Sequence, residues 1–250
     1  MYSPFPPYHT VSRSLNLFIL MVALSVNYLA VWLWWQTPYL ATFPILLTGI
    51  LLLLYARSQK LWITYILFAL GGAGQEILFI SSGIWEYSST SFFAIPIYLP
   101  FIWGNIALLV VGLLRGILQC QEQLHFPHHP PRFSRVFLST LLLIVFVVLS
   151  IYWFAENPKL LFALFLAADI AYLIAQRSVP LAFVGLVALC MGSLADLIAV
   201  PAGIWFYPLH APTTEIPAFI FLGWDIVGLL AGGIYLTLEA WETPPTNPLS

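Results

Sequence analysis

Long apolar runs follow one another along the chain, broken by short segments that carry proline and charge. Several runs approach or exceed the roughly 20 residues that cross a bilayer core. The pattern predicts eight transmembrane helices, at about 14–35, 38–56, 61–82, 95–117, 135–155, 159–176, 180–203 and 216–238. Pro38, Pro158 and Pro180 stand at or near span starts, where a missing N–H costs little. Residues 1–13 are polar and proline-rich and form the expected first tail, and 241–250 form the last. The longest polar connection, 121–134, divides the chain into a first half, 14–120, and a second, 135–240. The first run extends from near Leu15 to Trp35, too long for the apolar region of a signal peptide, so it is expected to stay as a helix. The fold class expected is an all-α polytopic membrane protein.

Composition sharpens this picture. Of 250 residues, 61% are hydrophobic and 7% are charged, against about 25% charged in a soluble domain. Most of the surface therefore meets lipid. A net charge of −2 argues against a nucleic-acid partner. Cys120 and Cys190 have no paired spacing, so neither a disulfide framework nor a thiolate metal site is indicated.

The halves are copies. Glu76 and Asp196 are separated by 196 − 76 = 120 residues, and both are followed after six positions by Gly-Ile-Trp-x-Tyr, at 83–87 and 203–207. At the same offset Pro38 meets Pro158, Arg57-Ser58 meets Arg177-Ser178, and Gly72 meets Gly192. After one inserted residue Ile95-Pro96 meets Ile216-Pro217, Trp103 meets Trp224, and Gly112 meets Gly233. Each copy has four spans, so the fold expected is a four-plus-four parallel repeat with a pseudo-two-fold along the membrane normal. One side of the membrane collects Arg13, Arg57, Lys60, Arg115, Arg132, Arg135 and Arg177, and the other Lys159 alone. The excess predicts that both termini and the 121–134 linker are cytoplasmic, in a plasma or bacterial inner membrane.

An acid at mid-helix costs roughly 2.5–3.5 kcal/mol on insertion scales and normally faces the bundle interior. Glu76 shares a helix face with Gly72 and Gly83, and Asp196 with Gly192 and Gly203. The small residues would let a neighbouring helix approach closely. The two acids are thus expected at matched depth, beside a shared cavity, where one protonated and one ionised member would divide acid and base roles. The structural alternative is that each acid hydrogen-bonds backbone near its helix end. Asp225 and Asp169 are further intramembrane acids, specific to the second half because Asp225 aligns with Gly104, or with Asn105 without the inserted residue, and Asp169 with Gly49. Asp169 is a candidate structural partner for Tyr172.

Phe79, Trp85, Tyr87, Trp103, Trp205, Tyr207 and Trp224 cluster near the acids in sequence. An interfacial belt accounts for Tyr87 and Tyr207; Trp103 and Trp224 lie deeper, where ring faces would stabilise a cation. Glu86, His210 and Glu215 sit on the non-cytoplasmic connections 84–95 and 204–215, read as solvated loops or a lid. His125, His128 and His129 lack nearby acidic or thiol ligands, so the linker is not expected to hold a metal.

The acid-x6-Gly-Ile-Trp-x-Tyr pattern, followed by Ile-Pro and an aromatic span, resembles the lycopene cyclase domain of carotenoid pathways and the small integral-membrane terpene cyclases. The resemblance implies a cofactor-independent cyclase acting on a lipid-soluble isoprenoid, with Glu76, Asp196 and Asp225 catalytic and the aromatic residues around the substrate. A carotenoid hydratase is a related possibility. A small-solute or proton-coupled transporter and a non-catalytic membrane scaffold are the alternatives from other classes. A packed, dry interface between the acids would favour the scaffold.

Overall fold

The computed structural model describes residues 13–123, 133–209 and 215–242. The helices are α1 (Arg13–Trp34), α2 (Pro38–Ala56), α3 (Gln59–Ser81), α4 (Leu99–Gln123), α5 (Phe133–Phe154), α6 (Pro158–Gln176), α7 (Val179–Ala199) and α8 (Ala218–Glu242), with two short strands, β1 (Glu86–Tyr87) and β2 (Trp205–Phe206). The chain is therefore the all-α polytopic membrane protein that its apolar runs predict. The helices α2 to α8 each contain a stretch long and apolar enough to cross a membrane; the described apolar part of α1 is the shorter Phe18–Trp34.

Local chemistry sets the boundaries. Proline opens both α2 and α6, and both helices end on an arginine in the left-handed region, Arg57 at φ 48° and Arg177 at φ 51°. Their N–H groups donate back to the Leu53 and Leu173 carbonyls, at 3.1 and 2.9 Å. The fourth span starts at Leu99 rather than near 95, because the chain first makes a tight bridge between Phe92 and Ile95, with Phe93 and Ala94 at positive φ. Helix α7 stops at Ala199, short of the expected 203. Pro201 lacks a donor to continue it, and Gly203 turns left-handed at φ 71°.

Each half packs in the same order: α1 on α2, α3 on α4 and α2 on α4, then α5 on α6, α7 on α8 and α6 on α8. Helices α4 and α8 meet between the halves. Strands β1 and β2 pair antiparallel, with Glu86 opposite Phe206 and Tyr87 opposite Trp205. Glu86 thus faces its own counterpart at offset 206 − 86 = 120, so the pseudo-two-fold passes through this pair. Ser88 extends the join, its N–H donating to the Ile204 carbonyl at 3.0 Å and its hydroxyl to the Gly203 carbonyl.

Candidate functional site

The repeated motif is a helix stop that folds back on its own helix. Gly83 and Gly203 take φ 70° and 71°, a conformation that suits glycine because it has no Cβ. Each glycine N–H donates to a carbonyl three residues back, and the following isoleucine N–H to one five back: Ile84 to Phe79 and Ile204 to Ala199, both at 3.0 Å. This is a Schellman-type closure, which uses carbonyls that the helix end leaves unpaired. Ile84 and Ile204 are buried behind it. Beyond it the chain is extended, so Trp and Tyr two positions apart point to the same side. That side is the acid.

In the first half Tyr87 Oη donates to Glu76 Oε2 at 2.9 Å, and Trp103 Nε1 donates to Oε1 at 3.1 Å. In the second, Asp196 Oδ1 accepts from Trp205 Nε1 at 3.0 Å and Tyr207 Oη at 2.6 Å, while Oδ2 accepts from Trp224 Nε1 at 2.6 Å. Glu76 and Asp196 are 3% and 1% exposed, so these donors replace water that neither acid can reach. Burial, then the adjacent carboxylate, pushes the Tyr87 and Tyr207 phenols well above their ordinary range, which keeps both as donors.

The glycines one turn before each acid complete the cradle. A Cβ on Gly72 would overlap the Trp103 ring, and one on Gly192 the Trp224 ring. The indoles therefore lie against bare helix backbone, within reach of the carboxylates. Between the halves they stack on each other, with centroids 5.7 Å apart and planes 20° apart. Trp85 and Tyr207 meet edge-on at 6.0 Å, as do Tyr87 and Trp205 at 5.9 Å, so each cradle borrows packing from the other half.

The copies differ where Phe79 stands opposite Ala199. Phe79 stacks on Trp85 at 4.2 Å and 3°, and among the described residues Trp85 Nε1 finds no partner in hydrogen-bonding geometry. Glu76 consequently has one firm donor fewer than Asp196.

The eight acid and aromatic residues of the two cradles were legible as candidates, as was Phe79; Asp225 stands apart from them. It lies against Gly185 of α7 and faces Asp169 of α6. Tyr172, the sequence-based partner for Asp169, instead shares a 3.0 Å hydrogen bond with Thr140. Glu86 and Glu215 are exposed; His125, His128, His129 and His210 lie outside the described residues. Two cavities of about 210 and 170 Å³ flank the 92–101 and 80–94 segments, and neither is lined by Glu76 or Asp196. Sequence reasoning missed two polar links. Tyr28 of α1 donates to the Met191 carbonyl of α7 at 2.9 Å, and Asn105 Nδ2 donates to both Asn27 Oδ1 and the Ile45 carbonyl at 2.9 Å. The asparagines carried a signal, being polar residues inside apolar runs.

No family model matches the chain. No curated protein matches it in sequence. Its fold is similar to two crystal structures of MvINS, a mycobacterial Insig homologue from Mycobacterium vanbaalenii, one of them a cross-linked trimer. Each aligns with TM-score 0.59 and 18% identity, covering 73% of this chain and 95% of that chain. The likeness is one of fold. It overturns the resemblance to lycopene cyclase domains and membrane terpene cyclases, and with it the isoprenoid cyclase function; the hydratase and transporter alternatives gain no support from it either. The motif misled because an acid ringed by aromatic donors is also what a membrane protein needs simply to bury that acid.

Proposed function

We propose that the chain is a non-catalytic integral-membrane scaffold, in which Glu76 and Asp196 lock two duplicated halves, 14–120 and 135–240, into one rigid bundle. One observation carries this reading: the four carboxylate oxygens of the two acids are each taken by an N–H or O–H donor of their own cradle, and stacked indoles fill the space between. Tyr87, Trp103, Trp205, Tyr207 and Trp224 then serve the acids, and Trp85 packs between Phe79 and Tyr207, rather than surrounding a substrate. The lipid-soluble partner is the bilayer, not an isoprenoid held in a pocket. Outward side chains such as Phe43, Leu47, Leu51 and Leu54 on α2 present the apolar faces that meet lipid or neighbouring proteins. Both termini belong on the cytoplasmic side, on the strength of the Lys and Arg distribution.

The trimer described for MvINS makes self-association the first interaction to test. Native mass spectrometry of the protein released from lipid nanodiscs is expected to give a discrete homo-oligomer, and Trp103→Ala with Trp224→Ala to abolish it together with the thermal transition. A protein that stays monomeric, and whose melting temperature ignores those substitutions, would overturn the scaffold reading.

A further inference from the structure

The second half carries a buried acid pair that the cradles do not use. In the first half, Gly49, Tyr65 and Gly104 form a set in which the Tyr65 ring covers Gly104 and its hydroxyl reaches Gly49. The aligned positions in the second half invert the pattern, with Asp169, Gly185 and Asp225 in their place. Deleting the ring at 185 leaves bare backbone for Asp225, whose Oδ1 packs over Gly185.

Asp169 is 4% exposed, and neither of its carboxylate oxygens has a donor among the described residues. Its polar neighbour is Asp225, with which it is placed to share a side-chain hydrogen bond. Two carboxylates are acceptors only, so this bond exists only when a proton sits between them. Among the described residues, nearby elements offer no substitute. On α5 and α6, Thr140 and Tyr172 are bonded to each other. From α7 comes glycine, and Glu76 of α3 is held in its own cradle. Along α6, Lys159 and Arg177 are ten and eight residues from Asp169, about 15 and 12 Å at the helical rise. Arg135 lies in the first turn of α5.

We infer that Asp169 and Asp225 form an intramembrane proton-binding site, a carboxyl–carboxylate pair that holds one proton between its oxygens and ties α6 to α8. The site is independent of the scaffold reading and of the Glu76 and Asp196 hubs, which have donors already. Protonation adds the O–H that supplies the missing donor and halves the buried negative charge. Loss of the proton leaves two facing anions inside the span, which would push the helices apart.

Infrared spectroscopy of the protein in nanodiscs tests this. At neutral pH the wild type is expected to show a carboxylic-acid C=O band that shifts in heavy water. Asp169→Asn and Asp225→Asn should each remove that band, since the new amide donates to the remaining carboxylate. If a single variant fails to fold, Asp169→Asn/Asp225→Asn, which can pair amide to amide, supplies the same difference spectrum. A wild type with no such band, or a band that survives both single variants or the double variant, overturns the proposal. So does sodium-23 NMR showing sodium bound in the wild type and lost in Asp169→Asn, which would make the occupant an alkali cation.

Discussion

Trp103 and Trp224 stack face to face across the pseudo-two-fold axis, while their N–H edges point in opposite senses to Glu76 and Asp196. The ring faces hold the halves together and the ring edges neutralise the acids, so one pair of side chains links burial of charge to joining of the repeats. Glycine makes this possible in both copies. Gly72→Ala and Gly192→Ala each place a methyl inside an indole ring. Each is expected to destabilise by about 1–3 kcal/mol, the usual cost of overpacking. Thermal melts followed by tryptophan fluorescence check this, with Gly71→Ala as control because its Cβ would meet open space.

The two acids should respond differently to amide substitution. Glu76→Gln can keep its oxygen toward Trp103 and turn its NH2 to Tyr87, whose hydroxyl can accept instead of donate. Asp196→Asn has no such arrangement. With its oxygen toward Trp205 and Tyr207, its NH2 faces the Trp224 N–H; flipped, it faces the Trp205 N–H. Indole donates only, so one buried donor is always orphaned, at about 1–3 kcal/mol. Asp196→Asn should therefore melt well below Glu76→Gln. Equal melting temperatures would mean that the cradles are not built as described.

Tyr87 and Tyr207 set the alkaline limit. Both phenols are held well above the ordinary tyrosine value of 10.0, by burial first and by the adjacent carboxylates second. A phenol harder to ionise when folded contributes stability that is complete below pH 10 and lost as pH rises through its folded value. Ultraviolet titration of wild type and Tyr87→Phe/Tyr207→Phe should therefore coincide near pH 10. They should diverge only at the higher pH where the wild type unfolds. Two extra tyrosines ionising near pH 10 in the folded wild type would contradict the buried donor role.

How much of this was legible follows from which features demand a residue type. A left-handed helix stop selects Gly83 and Gly203, a close indole selects Gly72 and Gly192, and a buried acid selects N–H and O–H donors; each leaves its mark twice, at an offset of 120, or of 121 for Trp103 and Trp224. The direction of the indoles left none, because tryptophan is written the same whether its face or its edge meets an acid. The β1–β2 pair is two residues long on each side, too short for an alternating pattern. The pairing of Asp169 with Asp225 emerges only when Gly185 is seen to stand where Tyr65 stands in the other half.

That short pair gives the most direct test of how the halves are joined. In an antiparallel pair, opposed Cα atoms lie about 4.5–5.5 Å apart, within the roughly 4.4–6.8 Å that a disulfide spans. Glu86 and Phe206 are opposed residues, one exposed and one half-buried. With exposed Cys120 and Cys190 first replaced by serine and alanine, Glu86→Cys/Phe206→Cys should oxidise readily. A protease site inserted in the 121–134 linker then reports the outcome. After cleavage the halves should migrate as one band without reductant and as two with it. Moving one cysteine to Thr90, outside the strands, should lower the yield severalfold, because the paired backbone holds only the 86–206 positions in register. Similar yields at both sites would show that the loops slide freely over the hub, and that the stacked indoles alone unite the halves.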